Sequence, residues 1–244
     1  MSADLTHADH WVFDLDNTLY PAECDLFAQI DVRMTEFVSN ALSLPSEEAR
    51  RVQKQYYADH GTTLNGLMTV HGLDPAPFLE YVHDLDLSPV PLLIDLRHAI
   101  EALPGRKYVF TNGSRGHADR VVEKLGLTGA FDDHFGIEDT GYAPKPRIEA
   151  FDRFHERYGI DPEVAVMFED MPRNLKTAHD LGYTTVLVHS DKDWSHEPEN
   201  ARPAGANHAA DHIHYLTDCL TSFLKAARTA KPSKADQEHQ ERPK

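Results

Sequence analysis

Cysteine is nearly absent from this chain. Cys24 and Cys219 are the only two in 244 residues, too few for a disulfide framework. Each is expected as a small buried or half-buried side chain, and the compartment expected is a reducing cytoplasm. Long apolar runs are missing too. No stretch approaches the ~18 consecutive apolar residues of a membrane helix. The opening MSADLTHADH has no basic segment leading into an apolar one, so no secretory leader is expected. Basic residues are scarce beside acidic ones, 24 against 40, and the net charge is −16. That balance argues against nucleic acid or an anionic membrane as a nonspecific partner. Sixteen histidines are present, but His60, His71 and His83 lack zinc-site spacing and read as surface or core side chains. What remains is an ordinary globular composition, 41% apolar and 26% charged. The length suits one large domain or a core with a smaller insert.

Strand and helix signals alternate along most of the chain. Short apolar runs over residues 10–15, 107–111, 134–137, 164–168 and 184–188 predict strands. Helical spacing is expected over 118–125, 148–158, 174–181 and 213–224, with Gly126, Gly159 and Gly182 as stops for the first three. Such alternation predicts a parallel sheet covered on both faces, with ligands beyond the carboxyl ends of its strands. Between the first two strands, residues 21–90 read as an all-helical insert. Phe27, Ile30, Met34 and Phe37 share a helix face, Ser46 is a candidate helix cap, and another helix is expected from Pro75 to His83. The expected division is a core of residues 1–20 and 91–225, the insert 21–90, and a polar, apolar-poor tail from 226 to 244 read as disordered.

Four features follow strand ends. The first is Asp14-Leu15-Asp16-Asn17-Thr18. Residues two apart in an extended chain face the same side, so both carboxylates can reach one site. A carboxylate can attack phosphorus, and a second can move the proton. The second is Thr111-Asn112-Gly113, whose hydroxyl and backbone N–H groups suit phosphate oxygens, with Gly113 permitting unusual backbone angles. The third is Lys145, held between Pro144 and Pro146, a restrained positive charge in a strongly acidic protein. The fourth is Glu169-Asp170. Adjacent acids after an apolar strand repel unless a cation joins them, and magnesium fits such ligands. Asn174, one turn later, is placed to orient Asp170 or a metal-bound water. Asp132-Asp133 and Glu138-Asp139 read as turn residues without a catalytic role.

In this order, D-L-D-N-T, T-N-G, K-P and E-D resemble the haloacid dehalogenase (HAD) superfamily. The resemblance implies an α/β fold: a Rossmann-like parallel sheet core with a small helical cap inserted after the first strand. It also implies site roles. Asp14 would be the nucleophile, and Asp16 the general acid and base. Thr111, Asn112 and Gly113 would hold phosphate, and Lys145 would steady phosphate and nucleophile. Asp14, the Asp16 carbonyl and Asp170 would bind Mg2+, with Glu169 behind them. An acid at Asp16 favours a phosphatase over a dehalogenase. A narrower resemblance, to the pyrimidine 5′-nucleotidase group, rests on residues 56–68, 81–84 and 212–220. It implies a nucleoside monophosphate such as UMP or CMP as substrate. Another small phosphorylated metabolite, or phosphotransfer of the β-phosphoglucomutase kind, is the alternative.

Overall fold

Trp11, Val12 and Phe13 run without polar alternation because apolar layers cover both faces of their strand. Trp11 and Phe13 pack into one layer and Val12 into the other. The computed structural model describes residues 2–194, 203 and 210–230. The central strands are β2 (His10–Phe13), β3 (Arg106–Phe110), β4 (Asp133–Phe135), β5 (Ala165–Glu169), β6 (Thr184–Val188) and β7 (Tyr215–Thr217). They form a parallel sheet in the order β4-β3-β2-β5-β6-β7. The chain moves outward from β2 to β4 and then crosses to β5 on the other side. A topological switch point therefore falls at β2, where such sheets bind ligands.

Helices α5 (Ile94–Glu101), α6 (Arg115–Lys124) and α9 (Leu220–Ala226) bury apolar residues in the layer holding Trp11 and Phe13. Helices α7 (Ile148–Tyr158) and α8 (Pro172–Asp180) cover the opposite face. The insert between β2 and β3 contains α1 (Leu26–Leu42), α2 (Ser46–His60), α3 (Thr63–His71) and α4 (Pro75–Val82). Val38, Ala49, Leu67, Phe78 and Val82 give this cap its own apolar cluster, and Ile137 joins it from the segment after β4. No helix among the described residues is long and apolar enough to cross a membrane.

Several expectations change. Residues 213–224 do not form one helix: Tyr215–Thr217 is β7, paired with β6, and α9 follows. Completing the sheet ladder outweighs helical spacing there. Helix α3 escaped the periodicity reading. Its start is fixed by Thr62, whose hydroxyl accepts from the Asn65 N–H at 3.1 Å. Ser46 lies inside α2, and its N-cap position is Pro45, with no side-chain bond. The ordered chain also runs past Ala226. Strand β8 (Arg228–Thr229) pairs with β1 (Asp4–Leu5), and backbone pairing needs no apolar side chains. Residues 231–244 of the expected tail lie outside the described residues. Cys24 is half-buried, whereas Cys219 is exposed rather than sheltered.

Candidate active site

Register brings the four motifs together. Phe13 aligns with Val109 on β3 and with Phe168 on β5. The residues that follow on each strand, Asp14, Thr111, Glu169 and Asp170, therefore emerge at one sheet edge. Asp14 is tied there by its own N–H, which donates to the Phe168 carbonyl at 2.9 Å. Lys145 reaches the same point from the loop between β4 and α7 and is fully buried. Its Nζ donates to Asp14 Oδ1 at 2.8 Å, Glu169 Oε1 at 2.9 Å and the Phe110 carbonyl at 2.7 Å. All three ammonium protons are thus placed. Burial opposes the charge on Lys145, but the Asp14 and Glu169 carboxylates outweigh it and hold its pKa above the ordinary lysine value.

One ammonium does not balance three buried carboxylates. Oxygens of Asp14, Glu169 and Asp170 all lie within 4.8 Å of one another. Glu169 is satisfied by protein: Oε1 accepts from Lys145 and from Asn174 Nδ2, and Oε2 accepts from the Met171 N–H. Asp170 has the Asn17 amide at 3.3 Å. Burial first, then Glu169 and Asp14, pushes its carboxyl well above the usual range. Burial likewise raises Asp14 to about 7, against the pull of Lys145. An uncompensated buried charge costs several kcal/mol, so this pocket demands either protons or a cation. A hard divalent ion fits the all-oxygen donor set, with Asp14 and Asp170 as its carboxylates and Glu169 fixing the surroundings. Asn174 bonds Glu169 and not Asp170, which corrects one of the two roles expected for it.

The T-N-G loop is built differently from expectation. Thr111 is buried, and its Oγ1 accepts from the Gly113 N–H at 2.9 Å, leaving its hydroxyl proton to donate. Asn112 spends its side chain on Lys145: Oδ1 accepts the lysine's backbone N–H at 2.7 Å, and Nδ2 donates to its carbonyl at 3.0 Å. The amide therefore positions the lysine loop, and only the Asn112 backbone is left for a ligand. Gly113 does not adopt positive φ. Space is tight there instead, since a Cβ would lie 3.2 Å from the His117 ring. Asn17, by contrast, has φ 61°, a left-handed turn that asparagine tolerates, and this lets the D-x-D loop leave the strand.

Asp16 faces the same cavity as Asp14. Its Oδ1 accepts from Tyr20 Oη at 2.6 Å and contacts His117 Nε2 at 3.0 Å. Burial would raise its carboxyl, but His117 and then Tyr20 outweigh burial and lower it. Sequence reasoning missed Tyr20, His117 and Asn17. The signal for His117 was Ser114, which caps α6 by accepting the His117 N–H and so starts a helix whose first turn faces the site. Asp133 and Asp139 bind Arg115 and Arg157, in keeping with a structural part for those acidic pairs.

A family model described as haloacid dehalogenase-like hydrolase matches residues 9–182, the span that carries every group above. The chain is a member of the haloacid dehalogenase-like hydrolases. Within that family of enzymes, it is 26% identical over 206 residues to phosphate metabolism protein 8 of Saccharomyces cerevisiae, covering 77% of this chain and 63% of the yeast protein. The chain thus spans less than two thirds of that relative. A HAD phosphatase from Thermococcus onnurineus superposes with a TM-score of 0.57 at 20% identity, covering 93% of this chain and all of that one. A Bacillus subtilis HAD hydrolase bound to magnesium gives 0.54 at 16% identity, covering 89% and 97%. These likenesses show a common fold.

The HAD site opens into a cavity of about 180 Å³ roofed by the cap. Phe27, Ile30, Met34, Leu64 and Phe78 form an apolar wall, while Asp31, Gln53 and Lys54 add polar groups to the lining. Gln53 is held on both sides: its Nε2 donates to Asp31 Oδ1 at 2.6 Å, and its Oε1 accepts from the Thr35 hydroxyl.

Proposed function

We propose that the chain is a phosphomonoester hydrolase working through an aspartyl-phosphate on Asp14. The observation that carries this reading is the buried Lys145 ammonium shared by Asp14 and Glu169, with Asp16 facing the same cavity two residues on. A family dehalogenase needs no proton donor for halide, whereas an alkoxide leaving group does.

The Thr111 hydroxyl and the Asn112 backbone N–H hold the phosphoryl oxygens, while the Lys145 ammonium keeps Asp14 in place and adds positive charge beside them. An oxygen of Asp14 attacks phosphorus, and the bond from phosphorus to the ester oxygen breaks. Asp16 transfers its proton to that departing oxygen. It next takes a proton from water, which attacks the phospho-aspartate, releases inorganic phosphate and restores Asp14. A bound Mg2+, held by Asp14, Asp170 and the Asp16 carbonyl, supplies positive charge that offsets the phosphoryl oxygens. The cap keeps bulk water from the intermediate.

The substrate we infer is a nucleoside monophosphate, pyrimidine rather than purine. The cap residues 56–68 support it, as does the cavity's apolar wall, which suits a flat ring. Phosphate release from a panel of phosphomonoesters, with UMP, CMP, AMP and GMP side by side in excess magnesium, tests both levels. Indifference to UMP and CMP removes the nucleotidase assignment. Absence of phosphate release from any ester removes the phosphatase.

A further inference from the structure

The carboxyl of Asp16 is engaged on one side only. Both donors that reach it, Tyr20 Oη at 2.6 Å and His117 Nε2 at 3.0 Å, meet the same oxygen, Oδ1. Two donors on one oxygen favour carbonyl character there, so a proton on this carboxyl settles on Oδ2. Tyr20 is the donor in its pair, because a phenol keeps its proton at neutral pH and a carboxylate only accepts.

His117 is costly to keep as a purely structural residue. It is almost wholly buried, and its Nδ1 has no hydrogen-bond partner among the described residues. Its ring is nevertheless held firmly. The backbone N–H donates to Ser114 Oγ at 3.1 Å, and the ring stacks on His83 at 4.5 Å between centroids and 13° between planes. His83 follows α4 on the cap side, where its Nδ1 pairs with Ser114 Oγ at 3.0 Å and its carbonyl accepts from Arg120 at 2.8 Å. Gly113 gives the His117 ring room: a Cβ there would crowd it at 3.2 Å.

We propose that His117 and Tyr20 are positioning residues for Asp16, a two-donor clamp that fixes Oδ1 and presents Oδ2 to the leaving oxygen, with His83 steadying the His117 ring from the cap side. The proposal rests on the phosphatase reading above. It assigns these side chains to the proton-transfer half of the reaction and not to phosphate binding.

Leaving-group dependence tests it. Nitrophenolate departs without a proton, whereas an alkoxide needs one, and kcat/KM reports the steps up to formation of the phospho-aspartate. The variants His117→Phe, which keeps the stack, and Tyr20→Phe, which removes one hydroxyl, are compared with wild type on 4-nitrophenyl phosphate and on UMP, or on β-glycerophosphate if UMP is inert. The clamp predicts a loss of about tenfold to a hundredfold on the alkyl ester and less than about threefold on the nitrophenyl ester. His117→Gln, which restores an N–H donor, recovers part of the loss. If His117→Phe does not fold, Tyr20→Phe decides alone. Equal losses on both esters, or none on either, overturn the clamp while leaving the phosphatase intact. A wild type inert toward both esters overturns the underlying reading and the clamp together.

Discussion

The two walls of the cavity obey different rules. On the core wall, Asp14, Lys145, Glu169 and Asp170 are charged and buried, and most are fixed by hydrogen bonds from neighbouring strands and loops. On the cap wall, Phe27, Ile30, Met34, Leu64 and Phe78 offer shape, with polar groups such as Asp31, Gln53 and Lys54 beside them. Buried charge tolerates almost no substitution, because each group is the counter-charge of another. Apolar shape tolerates a good deal, provided volume is kept. The core wall is thus hard to alter, and the shape of the cap wall is not.

That contrast is broken most directly at Asp14. Asp14→Asn is expected to lower turnover by about 10³-fold or more while the protein stays folded. Steady-state kinetics beside urea unfolding read both, and normal turnover by the variant refutes the nucleophile.

Lys145→Met comes next, because it strands Asp14 and Glu169 without their ammonium. A loss of about 3–5 kcal/mol in unfolding free energy is expected by urea titration, together with loss of activity. If the variant is as stable as wild type, the charge argument for the core wall is wrong.

The third expectation concerns cation and pH. Without a cation, Asp14 keeps a proton up to about 7, and Asp170 is also raised. An unfolded aspartate releases its proton at about 4. Between those values the folded chain binds more protons than the unfolded one, so stability falls as pH rises. A divalent cation bound there would replace those protons. Thermal unfolding with chelator and with excess magnesium should therefore show a larger rise in Tm at about pH 8 than at about pH 5.5. An equal rise at both would argue against a cation between these carboxylates.

The smallest effect belongs to the cap. Phe27→Ala, in the apolar wall, should raise KM for the preferred nucleotide by about tenfold, roughly 1.4 kcal/mol of lost apolar contact. It should leave 4-nitrophenyl phosphate almost unchanged. A parallel loss on both substrates would place Phe27 in the general fold of the cap rather than against the ligand.

The core wall was largely legible in the sequence because strand ends punctuate it. Asp14, Thr111, Lys145 and Glu169-Asp170 each follow an apolar run or sit between prolines, and a parallel sheet sends such positions to one edge. The helical insert was legible as a class, since Phe27, Ile30 and Met34 repeat at helical spacing. Contacts between distant side chains were not. Nothing local in Asn112 says that its amide holds the backbone of Lys145, 33 residues away. His117 meets Asp16 across 101 residues, and His83 lay among histidines with no metal spacing. Strand β7 was misread as helix because pairing with β6, and not side-chain period, decides its conformation.

Ile137 carries a consequence for any exchange of caps between related chains. It belongs to the sheet-bearing half of the polypeptide yet packs in the apolar cluster of the insert. A graft cut at the two linkers would leave that isoleucine behind, against a surface selected for some other knob. Matching the donor residue at position 137 along with the insert is the least that such a chimera requires, because the seam in the fold does not follow the seam in the gene.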